Sequence, residues 1–274
     1  MAVSIGRVYV TRLLILDLSF GFHASDNIIR LARVFKALGQ CNGTLGVYYD
    51  EIKVSLPPKL LCLYPNPVPV VAGTSLPLVR YRKFLSRAGQ PASAVLELGK
   101  VNTAMYIATL EESGQEVIVK FTGRYNADAH RLLAKAQLAP KLYCCELIVG
   151  GLFMVVMERV DAPSVWQLRR DKKPIPAVVG EKVEEAASLL HANGLVFGDL
   201  RDPNILFLAS EDSSKCRVTL VDFDWPGKDG ESRYPASLNK SNTWAEEVRG
   251  YGIMRKAHDL WQVDRLKGLC SQDV

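Results

Sequence analysis

Prolines at positions 57, 58, 65, 67, 69 and 77 crowd residues 56–77. Proline has no amide proton and a fixed φ, so this stretch supports neither a helix nor a central strand. The chain must therefore fold as one piece before it and another after it. We place an accessory segment with a Pro-rich connector at residues 1–78 and a larger domain after it. Within the first piece, Ser25-Asp26 is a helix start signal, and Ile28, Leu31, Ala32, Phe35 and Leu38 recur at helical spacing up to Gly39. This predicts one amphipathic helix that Gly39 stops.

From residue 91 onward the apolar pattern becomes strand-like, over 94–98, 104–110, 116–121 and 152–160. The Glu111-Glu112-Ser113-Gly114 stretch has the composition of a hairpin turn. A helix is expected over 126–137, with Leu132, Leu133 and Ala136 on its apolar side. A second is expected over 176–193, where Pro176 suits a first turn, Gly194 suits a stop, and Val179, Val183, Ala186, Ala187 and Leu190 form one face. The run Arg169-Arg170-Asp171-Lys172-Lys173 between them reads as a solvated loop before Pro174. Two short apolar runs, 205–209 and 218–221, flank a polar turn and predict a second hairpin. Strands, one helix, more strands and then helices make an α+β arrangement.

Composition narrows the function classes. The chain is 48% hydrophobic and 23% charged, which excludes a wholly disordered, collagen-like or acidic-tail protein. A net charge of +5 without a long basic run makes nucleic acid an improbable partner. The apolar stretch 8–22 is interrupted by Arg12 and Asp17, too short and too charged to span a bilayer core of about 30 Å, and it has no small-residue cleavage site. An intracellular protein, cytoplasmic or nuclear, with no membrane association is expected. The 6 cysteines, Cys144 and Cys145 adjacent among them, lack metal-type spacing and read as reduced thiols, as do the 4 histidines as non-ligands.

Four pieces of the sequence carry chemistry, in one order. Gly99 lies in a turn, Leu98-Gly99-Lys100-Val101-Asn102-Thr103-Ala104, and Val117-Ile118-Val119-Lys120 follows on the next strand but one. A backbone-lined turn covers a triphosphate, and a lysine on a neighbouring strand reaches its oxygens. Gly198-Asp199-Leu200-Arg201-Asp202-Pro203-Asn204 sits between a helix and a hairpin, and Asp222-Phe223-Asp224 ends that hairpin.

With these motifs, residues 80–265 resemble the protein-kinase-like superfamily. The Gly-Asp-Leu-Arg and Asp-Phe-Asp-Trp variants further resemble fungal kinase-like proteins and the branch shared with choline and aminoglycoside kinases. The resemblance implies a two-lobed α+β fold, with a β-rich N-lobe over 79–160 and a shortened helical C-lobe over 161–274. It implies ATP and Mg²⁺ as cofactors and a hydroxyl-bearing acceptor, protein or small molecule, as partner. Lys120 would hold the α/β-phosphates beneath the Gly99 turn. Asp199 would accept or orient the acceptor hydroxyl, Arg201 would steady the phosphoryl group, and Asn204 and Asp222 would ligate Mg²⁺. Backbone groups of Glu158 and Val160 would pair with adenine, and Asp259 would brace the catalytic-loop backbone.

The sequence also departs from that pattern. Val101 and Ala104 replace two glycines of the phosphate turn. His130 stands where a glutamate would pair with Lys120, and Phe197-Gly198 stand where His-Arg is usual, which removes the arginine that reads a phosphorylated activation segment. Asp224 replaces a glycine, offering a second carboxylate near the metal. Two readings follow, an active phosphotransferase and a catalytically weak or inactive pseudokinase acting as a binding or scaffold module. The C-terminal helix has its own simpler reading, an amphipathic element with Leu260, Val263 and Leu266 inward.

Overall fold

The computed structural model describes residues 2–4, 7–9, 24–52, 64–86, 89–92, 105–210, 212, 216–239 and 242–270. They form two compact units, one within 1–68 together with Val149–Gly151, the other Pro69–Ile148 together with Leu152–Val274.

In the first unit, β1 (Ala2–Ser4) pairs antiparallel with β2 (Arg7–Tyr9), and α1 spans Ala24–Ile52. The expected stop at Gly39 does not occur. Gly39, Gly43 and Gly46 all lie inside α1, and Gly39 does not adopt the left-handed conformation that ends a helix. A glycine weakens a helix by about 1 kcal/mol relative to alanine, but only a left-handed cap stops one. None of the described helices is long and apolar enough to cross a membrane.

The second unit opens with irregular chain along a sheet edge, where Pro69 bridges Ile148 and Val70 N–H donates to the Leu147 carbonyl. A six-stranded antiparallel sheet follows, built from β3 (Val79–Leu85), β4 (Pro91–Ala92), β5 (Met105–Leu110), β6 (Glu116–Thr122), β7 (Leu142–Ile148) and β8 (Leu152–Glu158). Their order across the sheet is β4-β3-β5-β6-β8-β7. Three of these strands, β3, β4 and β7, were not expected. The neighbours of β5 are β3 and β6, and the strand expected over 94–98 lies outside the described residues along with Gly99, Val101 and Ala104. Ala108, Val117, Val119, Met154 and Val156 are fully buried on one face and make the sheet's core with Cys144 and Ile148. Strand alternation then puts Ile118 and Lys120 on the opposite face of β6.

Helix α2 (Ala127–Lys135) leaves β6 after Asn126, whose side-chain oxygen accepts the Ala129 N–H at 2.9 Å and caps the first turn. Next come α3 (Val165–Arg170), α4 (Ala177–Ala192), the short β9 (Leu195–Val196), a 3₁₀ turn at Asp202–Asn204, the hairpin β10 (Ile205–Leu208) and β11 (Arg217–Leu220), β12 (Gly227–Lys228) and α5 (Lys256–Lys267). The basic run is not all loop. Arg169 and Arg170 form the last turn of α3, opened by a Ser164–Gln167 capping box. The face expected on α4 is buried, joined by Leu133 of α2, Phe197, Ile205, Leu220, Phe223 and Val263 in a second core.

On α5, Val263 and Leu266 point inward, whereas Leu260 is 48% exposed, against expectation. The element's anchor is polar. Asp259 is buried, accepts the backbone N–H groups of Phe197 at 2.7 Å and Gly198 at 2.8 Å, and takes a bond from His191 Nε2 at 3.0 Å. Gly198 has φ +76°, a conformation that strains any residue with a side chain, and a Cβ there would also push aside the Met254 Cε. Replacing Asp259 by alanine leaves two buried N–H donors unpaired, at a cost of about 1–3 kcal/mol each. In urea unfolding, Asp259→Ala is expected to lose roughly 2–5 kcal/mol, against about 1 kcal/mol or less for the adjacent Leu260→Ala. Equal losses would overturn the bracing role.

Candidate active site

The far face of β6, the end of β8, α3, the 3₁₀ turn and the segment after β11 enclose a cleft of about 1420 Å³. Lys120, Asn204, Asp222 and Asp224 line it, as do Arg201 and Val160.

Lys120 reaches the cleft because the β6 alternation points it away from the core, and its side chain is only 12% exposed. It is no surface lysine. Its ammonium donates to Asp222 Oδ1 at 2.5 Å and to Asp224 Oδ1 at 2.7 Å. Burial works to lower its pKa, but the two carboxylates outweigh that and hold it above the ordinary value. Asp224 Oδ2 also accepts the Thr122 hydroxyl at 3.0 Å. Burial and the neighbouring Asp222 push the Asp224 carboxyl up to about 6 despite Lys120.

Asp222 sits at φ +70°, a left-handed conformation uncommon for a residue with a side chain. The flanking chain holds it there. Val221 N–H donates to the Asn204 carbonyl at 2.9 Å, and the Phe223 carbonyl accepts from Asn126 N–H at 2.9 Å. Arg124 Nη2 donates to the Trp225 carbonyl at 2.9 Å, and Asn126 Nδ2 to that of Pro226 at 3.0 Å. Backbone strain that is held so firmly clusters at functional sites.

Asp199 and Asn204 share the loop between β9 and β10. Asn204 Nδ2 donates to the Asp199 carbonyl at 3.0 Å and to its Oδ2 at 2.8 Å, which leaves the Asn204 amide oxygen as that side chain's remaining acceptor. Arg201 grips both oxygens of Asp199 through Nε and Nη2, the latter at 2.8 Å. Burial raises the Asp199 pKa against the lowering pull of Arg201. The guanidinium of Arg201 also lies 5.2 Å from the Trp244 ring centroid, and Trp244 stacks in turn on Trp225.

At the end of β8 the Glu158 N–H is already committed to the Lys141 carbonyl at 2.8 Å, so only the carbonyl half of its expected backbone pairing remains to be offered. Its carboxylate, its pKa lowered by Arg217, binds that guanidinium at 2.6 and 2.8 Å and ties β8 to β11. Val160 lines the cleft beside Met157. The sequence reading missed Thr122, Asn126 and the buried Asp202, which joins Arg169 of α3 to Arg265 of α5. Thr122 and Asp202 act across long stretches of chain that no local pattern marks, and Asn126, a local helix cap, also reaches Pro226 one hundred residues on.

His130 does not replace a glutamate electrostatically. It is fully buried, donates from Nε2 to the Pro140 carbonyl at 2.7 Å, accepts the Tyr125 hydroxyl on Nδ1 at 2.6 Å, and stacks on Phe223 at 4.4 Å. The adjacent cysteines are equally inert, burial pushing Cys144 up to about 12 and Cys145 up to about 11.

A β-rich lobe with a buried strand lysine is thus joined to a helical lobe whose loop and hairpin end supply an aspartate, an asparagine and a second aspartate. The fold is protein-kinase-like. No known protein-family profile matches the chain. Among solved structures, the Cydia pomonella granulovirus kinase PK-1 superposes with a TM-score of 0.49 at 16% identity, covering 69% of this chain and 67% of that one.

Burial lowers the His130 pKa to about 4, from the ordinary 6.5. Between those values the unfolded chain binds the proton and the folded one does not, so this group's contribution falls as pH falls, by about 2 kcal/mol at pH 5. Asp224, raised to about 6, works the other way because its folded form takes up a proton first. The test is therefore a difference between proteins. From pH 7 to 5 the native protein should lose about 2 kcal/mol more than His130→Phe, which keeps a ring against Phe223. Parallel curves would contradict a neutral, buried imidazole.

Proposed function

We propose that the chain is an ATP- and Mg²⁺-dependent phosphotransferase of the protein-kinase-like type, moving the γ-phosphoryl group of ATP to a hydroxyl acceptor. The observation that carries this reading is the chain of contacts from Lys120 to Asp222, from the N–H of the adjacent Val221 to the Asn204 carbonyl, and from the Asn204 amide to Asp199. It gathers a cation, two metal-type oxygen donors and a proton acceptor from distant parts of the sequence. Phosphoryl transfer asks for charge neutralisation and in-line positioning more than for covalent chemistry, and this set supplies both. The cleft exceeds the roughly 300–1,000 Å³ typical of a single small-molecule site, leaving room for a nucleotide and an acceptor.

Among the described residues no three His, Cys, Asp or Glu side chains form a metal cluster. The donor set nevertheless fits Mg²⁺, which takes one or two protein oxygen ligands and completes its shell with phosphates and water. Asp222 and the Asn204 amide oxygen would hold the ion, with Asp224 close by, and its charge would offset that building on the phosphates. Lys120 would shift from the carboxylates toward the α/β-phosphates. The Glu158 carbonyl and Val160 backbone would take the adenine edge. Burial makes Asp199 a stronger base than an exposed carboxylate, while Arg201 fixes its orientation and carries positive charge toward the phosphoryl group.

Thermal melting with ATP, with and without Mg²⁺, tests the site. A hundredfold excess over Kd stabilises the folded state by about 2.7 kcal/mol. A Mg²⁺-dependent shift is expected that Asp222→Asn abolishes, and Asp199→Asn should keep the shift while losing ATP turnover. Absence of any shift at millimolar ATP would overturn the enzyme reading and leave a binding or scaffold module. The neutral His130, and the Lys120 charge already met by two carboxylates, are the observations that favour that second reading.

A further inference from the structure

The helix α1 carries a pattern that the proposed catalysis does not use. Starting at Ile28, the residues Leu31, Phe35, Leu38, Asn42, Leu45, Tyr49 and Ile52 follow at alternating steps of three and four. This is the a/d spacing of a heptad repeat. Positions d hold Leu31, Leu38, Leu45 and Ile52. Positions a hold Ile28, Phe35, Asn42 and Tyr49, so Asn42 is the one amide in the seam.

Charge follows the same register. Asp26, Arg30, Arg33, Lys36, Asp50 and Glu51 all fall at b, c or f, on the side away from the seam. The flanking e positions hold Ala32, Gly39 and Gly46, and the g positions Val34, Cys41 and Tyr48. Nothing there repels an identical chain. At 1.5 Å per residue the helix is about 43 Å long, enough for roughly four heptads, where three to four suffice for a coiled coil.

Among the seam side chains that the structure describes, Phe35 is 64%, Leu38 43% and Leu45 44% exposed. Three interior glycines each weaken the helix by about 1 kcal/mol, and helices draw most of their stability from packing an apolar face. The seam therefore needs a cover. Asn42 selects which one. In a parallel in-register pair it meets its own copy at the same layer and pairs amide to amide, whereas against an apolar layer it would be left unsatisfied.

We propose that α1 pairs with the α1 of a second copy of this chain as a parallel, two-stranded coiled coil in register at Asn42. Light scattering on the full chain at 5–100 μM is expected to give twice the 30.3 kDa chain mass. Leu38→Glu with Leu45→Glu should return the monomer mass while the catalytic unit keeps its melting temperature. In a Cys41→Ser background, mild oxidation should cross-link Asn42→Cys between copies and leave Lys36→Cys, at an outer b position, largely uncross-linked. A monomer at 100 μM overturns the proposal, as does a dimer that survives the double glutamate variant. A dimer in which Asn42→Cys cross-links no better than Lys36→Cys overturns the parallel register.

Discussion

The contact on which the site depends is the Lys120 ammonium held between Asp222 and Asp224. It joins the sheet of one lobe to the hairpin end of the other, across a cleft where each of these charges would be costly alone. Burying an unpaired ammonium or carboxylate costs several kcal/mol, and the three groups cancel most of that cost together. His130 of α2 is engaged elsewhere, with Tyr125, the Pro140 carbonyl and Phe223, and the two aspartates are the partners of the lysine. The left-handed Asp222 and the bonds from Arg124 and Asn126 to the following residues keep both carboxylates within reach.

Below this charged layer the support is aromatic and then polar. His130 stacks on Phe223, Phe223 meets the edge of Phe197, and the backbone of Phe197 is bound by Asp259. A continuous column thus runs from α2 to α5 behind the loop that carries Asp199. Phe197 and Gly198, which looked in the sequence like the loss of a regulatory pair, have structural reasons of their own. The phenyl ring fills the column, and the glycine permits a left-handed bend against Met254.

What was readable locally was read well where a single element carries the signal. The apolar strands β5, β6 and β8, the buried face of α4 and the β10–β11 hairpin follow from apolar patterning and turn chemistry alone. Failures came where a neighbour decides. The strand β3 pairs with β5 although its own residues alternate weakly, and Arg169 became helical because Ser164 and Gln167 cap α3 and Asp202 receives its charge. Gly39 lies inside α1 because a glycine ends a helix only in a left-handed cap, and the heptad spacing continues through Asn42 to Ile52.

The sequence by itself determined the α+β character and the residue types available for chemistry, because each depends on period or side-chain identity. Only the tertiary structure decided that Lys120 meets Asp224 as well as Asp222, that Arg201 grips Asp199, that the Glu158 N–H is already committed to Lys141, and that His130 is neutral. Those outcomes depend on burial and on partners far away in the chain, and no local pattern encodes the desolvation that sets which charges must find one another.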